Sequence, residues 1–552
     1  MSLRARLIIF AAAAFSIGMF WLTDIPLGIS GEWTWDRIEQ ESGTLALLGA
    51  IQAAIFFAVF ALVAWAGSKQ IAAATRTELA GWLLALIAAG FGWLHAVQET
   101  PPSGWDSAKI PFVMYYSSSS GYFYKAEFEV DDTTKFLRDY ESIVREGDVL
   151  HEGTHPPGLV VLFRGLIRLA EMAPSLASLP EAVMPESAAE GFDFIREKTA
   201  GTPRALSRRG ESVIWLAAML TQLAGVAVVV PLFLLIRLTL DRETAWRMVC
   251  FWPLLPALAI FIPKSDVLFS FGSSLLVCTW LYAVRAASIR NSSLTPLVLG
   301  ALAGLIGWLG LFCSLAFLPS GAIAVLASVL LFRTPSVEVS SEAATERSAM
   351  ATQLRWSAKL HWKPALGGFV SFAVLTTLVA IVWDLNLPRV WQLNYANHAR
   401  FYEVSPRSWL GWLLVNPVEL VLAIGVPVSL MLFSRRGSAV DAESASGQSR
   451  ASGCPHSAVT LAVGTVWGLL WLTGKNSGEA ARLWIPLMPM ALWVGAAAWN
   501  QPKSATTQQS LDGNARRGMV RDWLIVLTVQ AVVCLLTVLR VSGFLKERGL
   551  IE

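Results

Sequence analysis

Charge is scarce in this chain. Asp, Glu, Lys and Arg make up 15% of the 552 residues, against 55% that are hydrophobic, and apolar runs of about 20 residues recur from end to end. A soluble core cannot take in such runs, which excludes a water-soluble globular class. The runs lack the alternation of barrel strands, and hydrocarbon satisfies no open backbone group, so they are read as α-helices. Cysteine is scarce too. Cys250, Cys278, Cys313, Cys454 and Cys534 lie in or beside apolar runs with no paired spacing, which points to neither a disulfide framework nor a metal site. No internal repeat and no matched pair of interrupted helices of the kind found in many transporters is visible. The net charge of +3 implies no nucleic-acid partner. Arg4 and Arg6 precede the first apolar run, but no convincing small-residue cleavage site follows it, so this run is read as an uncleaved anchor.

The fold class expected is all-α, a polytopic membrane protein with about 13 transmembrane helices (12 to 14). The runs fall near 7–23, 44–66, 80–97, 211–236, 245–262, 267–284, 295–313, 318–332, 366–385, 409–433, 458–473, 484–498 and 522–541. With the N-terminus in the cytoplasm, every inside connector carries at least two Lys or Arg, such as Lys69 and Arg76, or Arg237, Arg242 and Arg247. The positive-inside bias then places the long segment 98–210 outside a cell inner (plasma) membrane. The C-terminal tail, with Lys546 and Arg548, falls outside against that bias. Three units follow: an N-terminal transmembrane hairpin, 1–79; a core, 80–500, that includes the outer loop 98–210; and a linker with the last helix, 501–552. The connectors 334–363, 437–456 and 499–518 are polar and read as mobile links. Most of the 24 Trp residues punctuate span ends and read as interfacial anchors.

The outer segment is where charge returns. After Asp131 and Asp132, the apolar residues Phe136, Leu137, Tyr140, Ile143 and Val144 recur at helical spacing between Lys135, Arg138, Asp139, Arg145 and Glu146, an amphipathic helix expected on the membrane surface. A second follows Pro157, with Leu159, Val160, Leu162, Phe163, Leu166, Ile167 and Leu169 on one face and Arg164, Arg168 and Glu171 on the other. Residues 172–208, with four prolines, read as a loop or irregular insert.

Two interfacial helices in an outer loop, joined at Pro156-Pro157 and preceded by acids, resemble the membrane-embedded glycosyltransferases of the GT-C class, most nearly the protein O-mannosyltransferase and aminoarabinose-transferase superfamily. In that group an Asp-Glu pair opens a helix that runs to a Gly-Asp-Trp-type turn, and a Lys-Pro-Pro-Leu stretch opens the next. Here Asp132 precedes Gly147-Asp148 by a similar interval, and His155-Pro156-Pro157-Gly158-Leu159 stands where Lys-Pro-Pro-Leu is expected. Downstream, Pro263-Lys264-Ser265-Asp266 ahead of an apolar run, and Arg482-Leu483-Trp484-Ile485-Pro486-Leu487-Met488-Pro489, are similar to later elements of the family. The likeness covers roughly residues 80–500. The chain departs from it at Asp132-Thr133 in place of Asp-Glu, at His155 in place of Lys, and in having two additional spans first.

The resemblance implies an inverting glycosyltransferase that moves a hexosyl or pentosyl group from a polyprenyl-phosphate donor to a glycan, lipid or protein acceptor on the outer, periplasmic face of the bilayer. Such a reaction asks for a carboxylate to take the acceptor's proton and a cation to hold the phosphate. Asp132 is the candidate base, with Asp131 beside it; either also suits a helix N-cap. Glu32, Asp36 and Glu39 in the first outer loop are rival acids. Lys475 and Arg482 are candidate phosphate ligands, since positive residues there run against the topological bias, with interfacial snorkelling as the plainer reading. His155 fits a rigid turn whose ring could meet sugar or phosphate. Asp266 is either a helix-start cap or a cavity carboxylate, and His398 and Arg400, in the polar stretch 386–408, are candidate acceptor contacts. His151 and His155 do not make a metal site, because Pro156 and Pro157 break the helix their spacing would need. No cofactor is expected, and nothing in the sequence supports a divalent cation. No Gly-rich phosphate loop occupies a cytoplasmic connector, in keeping with a lipid donor. The rival classes are a lipid-linked-sugar flippase or transporter, which would place charges mid-span, and a non-catalytic scaffold.

Overall fold

The computed structural model describes residues 3–39, 43–146, 153–289, 294–332, 346–433, 455–500 and 512–544. Gly147-Asp148 and His151 therefore lie outside the described residues. Among the described residues the regular structure is helical apart from one small hairpin. Helix α1 (Leu3–Leu22) leads to β1 (Leu27–Ile29), which pairs antiparallel with β2 (Trp33–Trp35), Gly28 opposite Thr34. Next come α2 (Gly43–Gln70) and α3 (Arg76–Gln98). At the start of α3 the Thr75 side chain accepts from Glu78 N, and Glu78 reaches back to Thr75 N at 2.7 Å, a capping box that fixes the turn between the two long helices.

The segment after α3 folds as α4 (Lys109–Tyr115), α5 (Tyr122–Phe128), α6 (Thr133–Arg145), α7 (Gly158–Met172), α8 (Pro174–Ala177) and α9 (Glu186–Thr199). Then follow α10 (Arg208–Ala227), α11 (Val229–Ile236), α12 (Arg242–Val249), α13 (Pro256–Phe261), α14 (Ser265–Ile289), α15 (Thr295–Cys313) and α16 (Phe317–Leu331). The rest of the chain forms α17 (Glu346–Trp383), α18 (Leu387–Val404), α19 (Trp409–Ile424), α20 (Val426–Phe433), α21 (Pro455–Leu472), α22 (Ala480–Leu483), α23 (Met488–Gly495) and α24 (Asp512–Val538).

Among the described residues, nine helices are long and apolar enough to cross a membrane, and a tenth crossing arises if α18 and α19, bent by 106°, are taken as one. This is a multi-pass membrane protein. The four other expected runs are short or broken. In 245–262, Pro253 and Pro256 interrupt the ladder between α12 and α13; Gly425, at φ 92°, separates α19 from α20; Pro486 and Pro489 turn the chain before α23; and α16 is only 15 residues long. Proline removes an amide donor and clashes with the preceding turn.

Tryptophan side chains bond backbone carbonyls inside the bundle, at a helix break in the case of Pro253. The indole N–H of Trp93 donates to Pro253 O (3.1 Å), that of Trp246 to Ala64 O (2.8 Å), that of Trp252 to Gly225 O (2.6 Å) and that of Trp523 to Arg247 O (2.9 Å). All four side chains are fully buried. These tryptophans pair carbonyls inside the bundle, which corrects the reading of them as interfacial anchors.

A second hydrophobic cluster lies in the outer segment and runs into the spans: Phe123, Tyr140, Val144, Leu159, Phe163, Phe192 and Ile195 pack with Trp215 and Leu387. The apolar faces of α6 and α7 are filled by this protein core. Amphipathicity requires a face to be covered and does not name the cover, so the expectation that both helices rest on lipid is replaced by packing on α18 and α10. The insert 172–208 contains the 14-residue helix α9. Gly158 allows α7 to approach the end of α15, since a Cβ there would stand 2.4 Å from Phe312 O.

Candidate functional site

Polar side chains that the sequence scatters over hundreds of positions meet at the end of the bundle that bears the segment 98–210. At the start of α22, Arg482 Nη2 lies 3.1 Å from Glu479 Oε1 and its Nε lies 3.7 Å from Asp266 Oδ2, in the first turn of α14. All three side chains are mostly covered, with 14–21% exposure. Arg482 Nε is buried and makes no hydrogen bond among the described residues. A buried guanidinium between two carboxylates is held in place by charge, and the clamp keeps donor capacity in reserve.

The loop before α22 turns through three left-handed residues, Gly474 (φ 65°), Asn476 (φ 65°) and Gly478 (φ 89°). Asn476 N donates to the Tyr402 hydroxyl at 3.0 Å, and Arg407 donates to Ser477 O. Gly478 has no room for a side chain, because the Arg407 guanidinium occupies the space a Cβ would need. This framing places Lys475 Nζ 4.8 Å from the centre of the Tyr395 ring on α18, one turn from His398, whose ring stacks on Tyr402. His398 Nδ1 is buried and has no hydrogen-bond partner among the described residues. Thus Lys475, His398, Arg482 and Asp266, named separately from sequence, converge. Arg400 does not join them and is exposed on α18.

His155 belongs to the same neighbourhood through Tyr122, whose ring meets it edge-on at 6.0 Å and whose phenol interacts electrostatically with Arg482. Its turn is clamped from α18: Asn394 Nδ2 donates to Gly153 O (2.8 Å) and His155 O (3.2 Å), Asn397 Nδ2 donates to Val144 O (2.8 Å) and Gly153 O (3.1 Å), and the Tyr140 hydroxyl donates to His155 O (2.7 Å). A helix that the sequence presented only as a polar stretch therefore holds the Pro-Pro turn.

Asp131 and Asp132 are exposed. Asp132 is the N-cap of α6, its Oδ1 accepting from Thr134 N (2.7 Å) and Lys135 N (3.3 Å), so the capping role open to it in the sequence is the one it fills. Of the rival acids, Glu32 accepts from Ser408 N (2.8 Å) and Trp412 Nε1 (2.7 Å) and ties β1 and β2 to the corner between α18 and α19.

Two acids, one half-buried and one buried, escaped the sequence reading. Just beyond α3, Glu99 Oε2 accepts from Ser187 (2.8 Å) and its Oε1 is buried without a partner among the described residues. Asp106, 9% exposed, accepts from Ala108 N at 3.0 Å. Burial, with Glu99 adding in the same direction, pushes its carboxyl up to about 6 against the pull of the Ala108 N–H and Lys109. Burial likewise pushes the Lys109 ammonium down to about 8, with both acids opposing. The visible signal was an acid at a span end followed within ten residues by Asp106 and Lys109. This group adjoins the first: Lys109 Nζ and Lys264 Nζ share the Phe544 ring, at 5.9 and 5.6 Å from its centre, and Lys264 in turn bears on Asp266.

An apolar cavity of about 300 Å³ lies beside Arg482, lined by Ala481 together with Phe20, Trp35, Ile260, Val418 and Ala423. Its one charged-type side chain is Glu419, whose Oε1 accepts from Trp35 Nε1 at 2.6 Å and whose buried Oε2 has no partner among the described residues. Among the described residues no group of three or more His, Cys, Asp or Glu is placed to hold a metal ion. Compared with known proteins, the chain matches no family model, no curated protein and no solved structure.

Proposed function

We propose that this protein is an integral-membrane glycosyltransferase that moves a sugar from a polyprenyl-phosphate donor to an acceptor at the outer face of a cell inner membrane, the broken segments 245–262 and 484–498 counting as crossings. The observation that carries this reading is adjacency: the ion-paired Arg482, with Lys475 and Lys264 in the same cluster, abuts through Ala481 an apolar cavity within the spans. A ligand that satisfies both is amphipathic, with an anionic head and a hydrocarbon chain, and a lipid phosphate has that form. Arg482 and Lys475 would hold the phosphate, and the cavity would take the chain's first carbons.

The chemistry is a single displacement. The acceptor oxygen bonds to the anomeric carbon as the bond from that carbon to the phosphate oxygen breaks, the electron pair leaves with the phosphate, and the acceptor proton passes to a base. Cations fixed at the phosphate stabilise the charge that develops there. We place the base at Asp106 in preference to Asp132, because a buried carboxyl raised to about 6 retains basicity near neutral pH. His155, Tyr122 and His398 line the approach and suit a polyol.

The test is transfer by purified protein from a panel of radiolabelled polyprenyl-phosphate sugars to membrane acceptors, with Arg482→Gln beside the wild type. Wild-type turnover with at least one donor, falling roughly 100-fold in the variant, is the expected result. No turnover with any donor, or donor transport across vesicles without transfer, sinks the reading.

A further inference from the structure

We infer that the end of the molecule away from the outer segment carries a binding site for an anionic phospholipid, in the groove between α1, α2 and α24. The groove has a volume of about 760 Å³. Its polar rim is made by Lys69, Arg517 and Arg521, and among the described residues no acidic side chain lines it. Lys69 Nζ is held 3.6 Å over the Trp65 ring, a cation–π contact that fixes the ammonium at the rim. Arg517 and Arg521 are one turn apart on α24 and project from the same face.

Beneath the rim the walls turn apolar. Phe10 and Trp65 form one side, both substantially exposed, and Leu524 and Val529 continue down α24 on the other. From Arg517 to Val529 the helix runs roughly 18 Å, long enough to lie along much of one acyl chain. The nearby acid Asp522 is buried and faces Arg6 at 3.8 Å.

Three cations above an apolar cleft call for a phosphate attached to hydrocarbon. A free phosphate would leave the walls uncovered, and a zwitterionic headgroup would set its own cation against the rim. The site is separate from the Arg482 cluster, since Lys69 stands at the end of α2 beside the turn into α3, whereas the outer segment leaves from the far end of α3. A lipid seated there would bridge the first two helices to the last.

Native mass spectrometry and thermal melting of the detergent-purified full chain test this, with phosphatidylglycerol, cardiolipin, phosphatidylcholine and inorganic phosphate as separate additives. The expected result is retention of the anionic lipids with a raised melting temperature, and neither effect from phosphatidylcholine or phosphate. In Lys69→Gln/Arg521→Gln, affinity should fall roughly 30-fold, about fivefold for each charge removed near the headgroups, while the lipid-free melting temperature stays at the wild-type value. The single variant Lys69→Gln serves if the double variant does not fold. Equal binding of phosphatidylcholine, a shift produced by inorganic phosphate alone, or undiminished anionic-lipid binding by either variant would overturn the site.

Discussion

Asp106 and Asp132 are both acids of the outer segment, and water separates their chemistry. Asp132 keeps its solvent and spends an oxygen on two amides of its own helix; Asp106 loses most of its solvent and sits beside a second carboxyl. The neutral form of Asp106 is favoured in the folded state, so its contribution to stability is full below the unfolded value of 3.8 and is lost as pH rises through about 6. Asp106→Asn should therefore remove a loss of stability that the wild type shows between pH 4 and 6, measured as melting temperature against pH. The same variant should lower transfer by about 10²–10⁴-fold, and wild-type activity should fall as pH drops through about 6, where the base is protonated. Asp132→Asn, which preserves an N-cap, should leave the rate within a few-fold. The reverse pattern of rates returns the base to Asp132. At this scale the chain order was a poor guide: the solvated cap at Asp132 and the buried carboxyl at Asp106 read alike as Asp before a helix, and only burial distinguishes them.

Helix α18 is the element on which the site depends. Its residues Asn394 and Asn397, three apart on one face, bond the carbonyls of Val144, Gly153 and His155, and its outer positions present Tyr395 and His398 to Lys475. Replacing either Asn with Ala strands buried carbonyls, at about 1–3 kcal/mol each. Asn394→Ala/Asn397→Ala should melt at lower temperature and become cleavable by protease near residue 153; unchanged protection would show that the turn is held by Pro156 and Pro157 alone. The amphipathic patterns of α6 and α7 were legible, as was the cap at Asp132. Helix α9 was legible in principle, since Ala188, Phe192 and Ile195 keep helical spacing and Glu186 and Arg196 sit at the favourable ends, but four prolines nearby obscured it. The faces that α6 and α7 cover could not be read, because a hydrophobic stripe is equally satisfied by lipid and by protein.

For the molecule as a whole, the arrangement of helices fixes which loops share a side. Residue 175 lies in the segment 98–210 and is exposed, so under the proposed orientation Ser175→Cys in a Cys454→Ser background should react with a membrane-impermeant maleimide added to intact cells. The remaining cysteines are buried, or half-buried at Cys313. Labelling of Ser175→Cys only after lysis would invert the proposed orientation and move the lipid groove of α1, α2 and α24 to the outer leaflet. The spans that sequence counted most readily are the long unbroken ones. The apolar run broken at Pro253 and Pro256 depends on the Trp93 indole, which donates to Pro253 O, and on Gln530, which donates to Leu254 O and, at the break between α19 and α20, to Ile424 O, partners too remote in sequence to be paired from a single chain.

By itself the sequence determined the solvent of this protein and its helical class, because both follow from local composition: apolar runs require lipid, and lipid requires helices. It also marked the end of the bundle where charge gathers. Only the tertiary structure decided which charges are partners, since Asp266, Glu479 and Arg482 meet across more than two hundred residues, and whether an acid is a solvated cap or a buried group is settled by what packs around it.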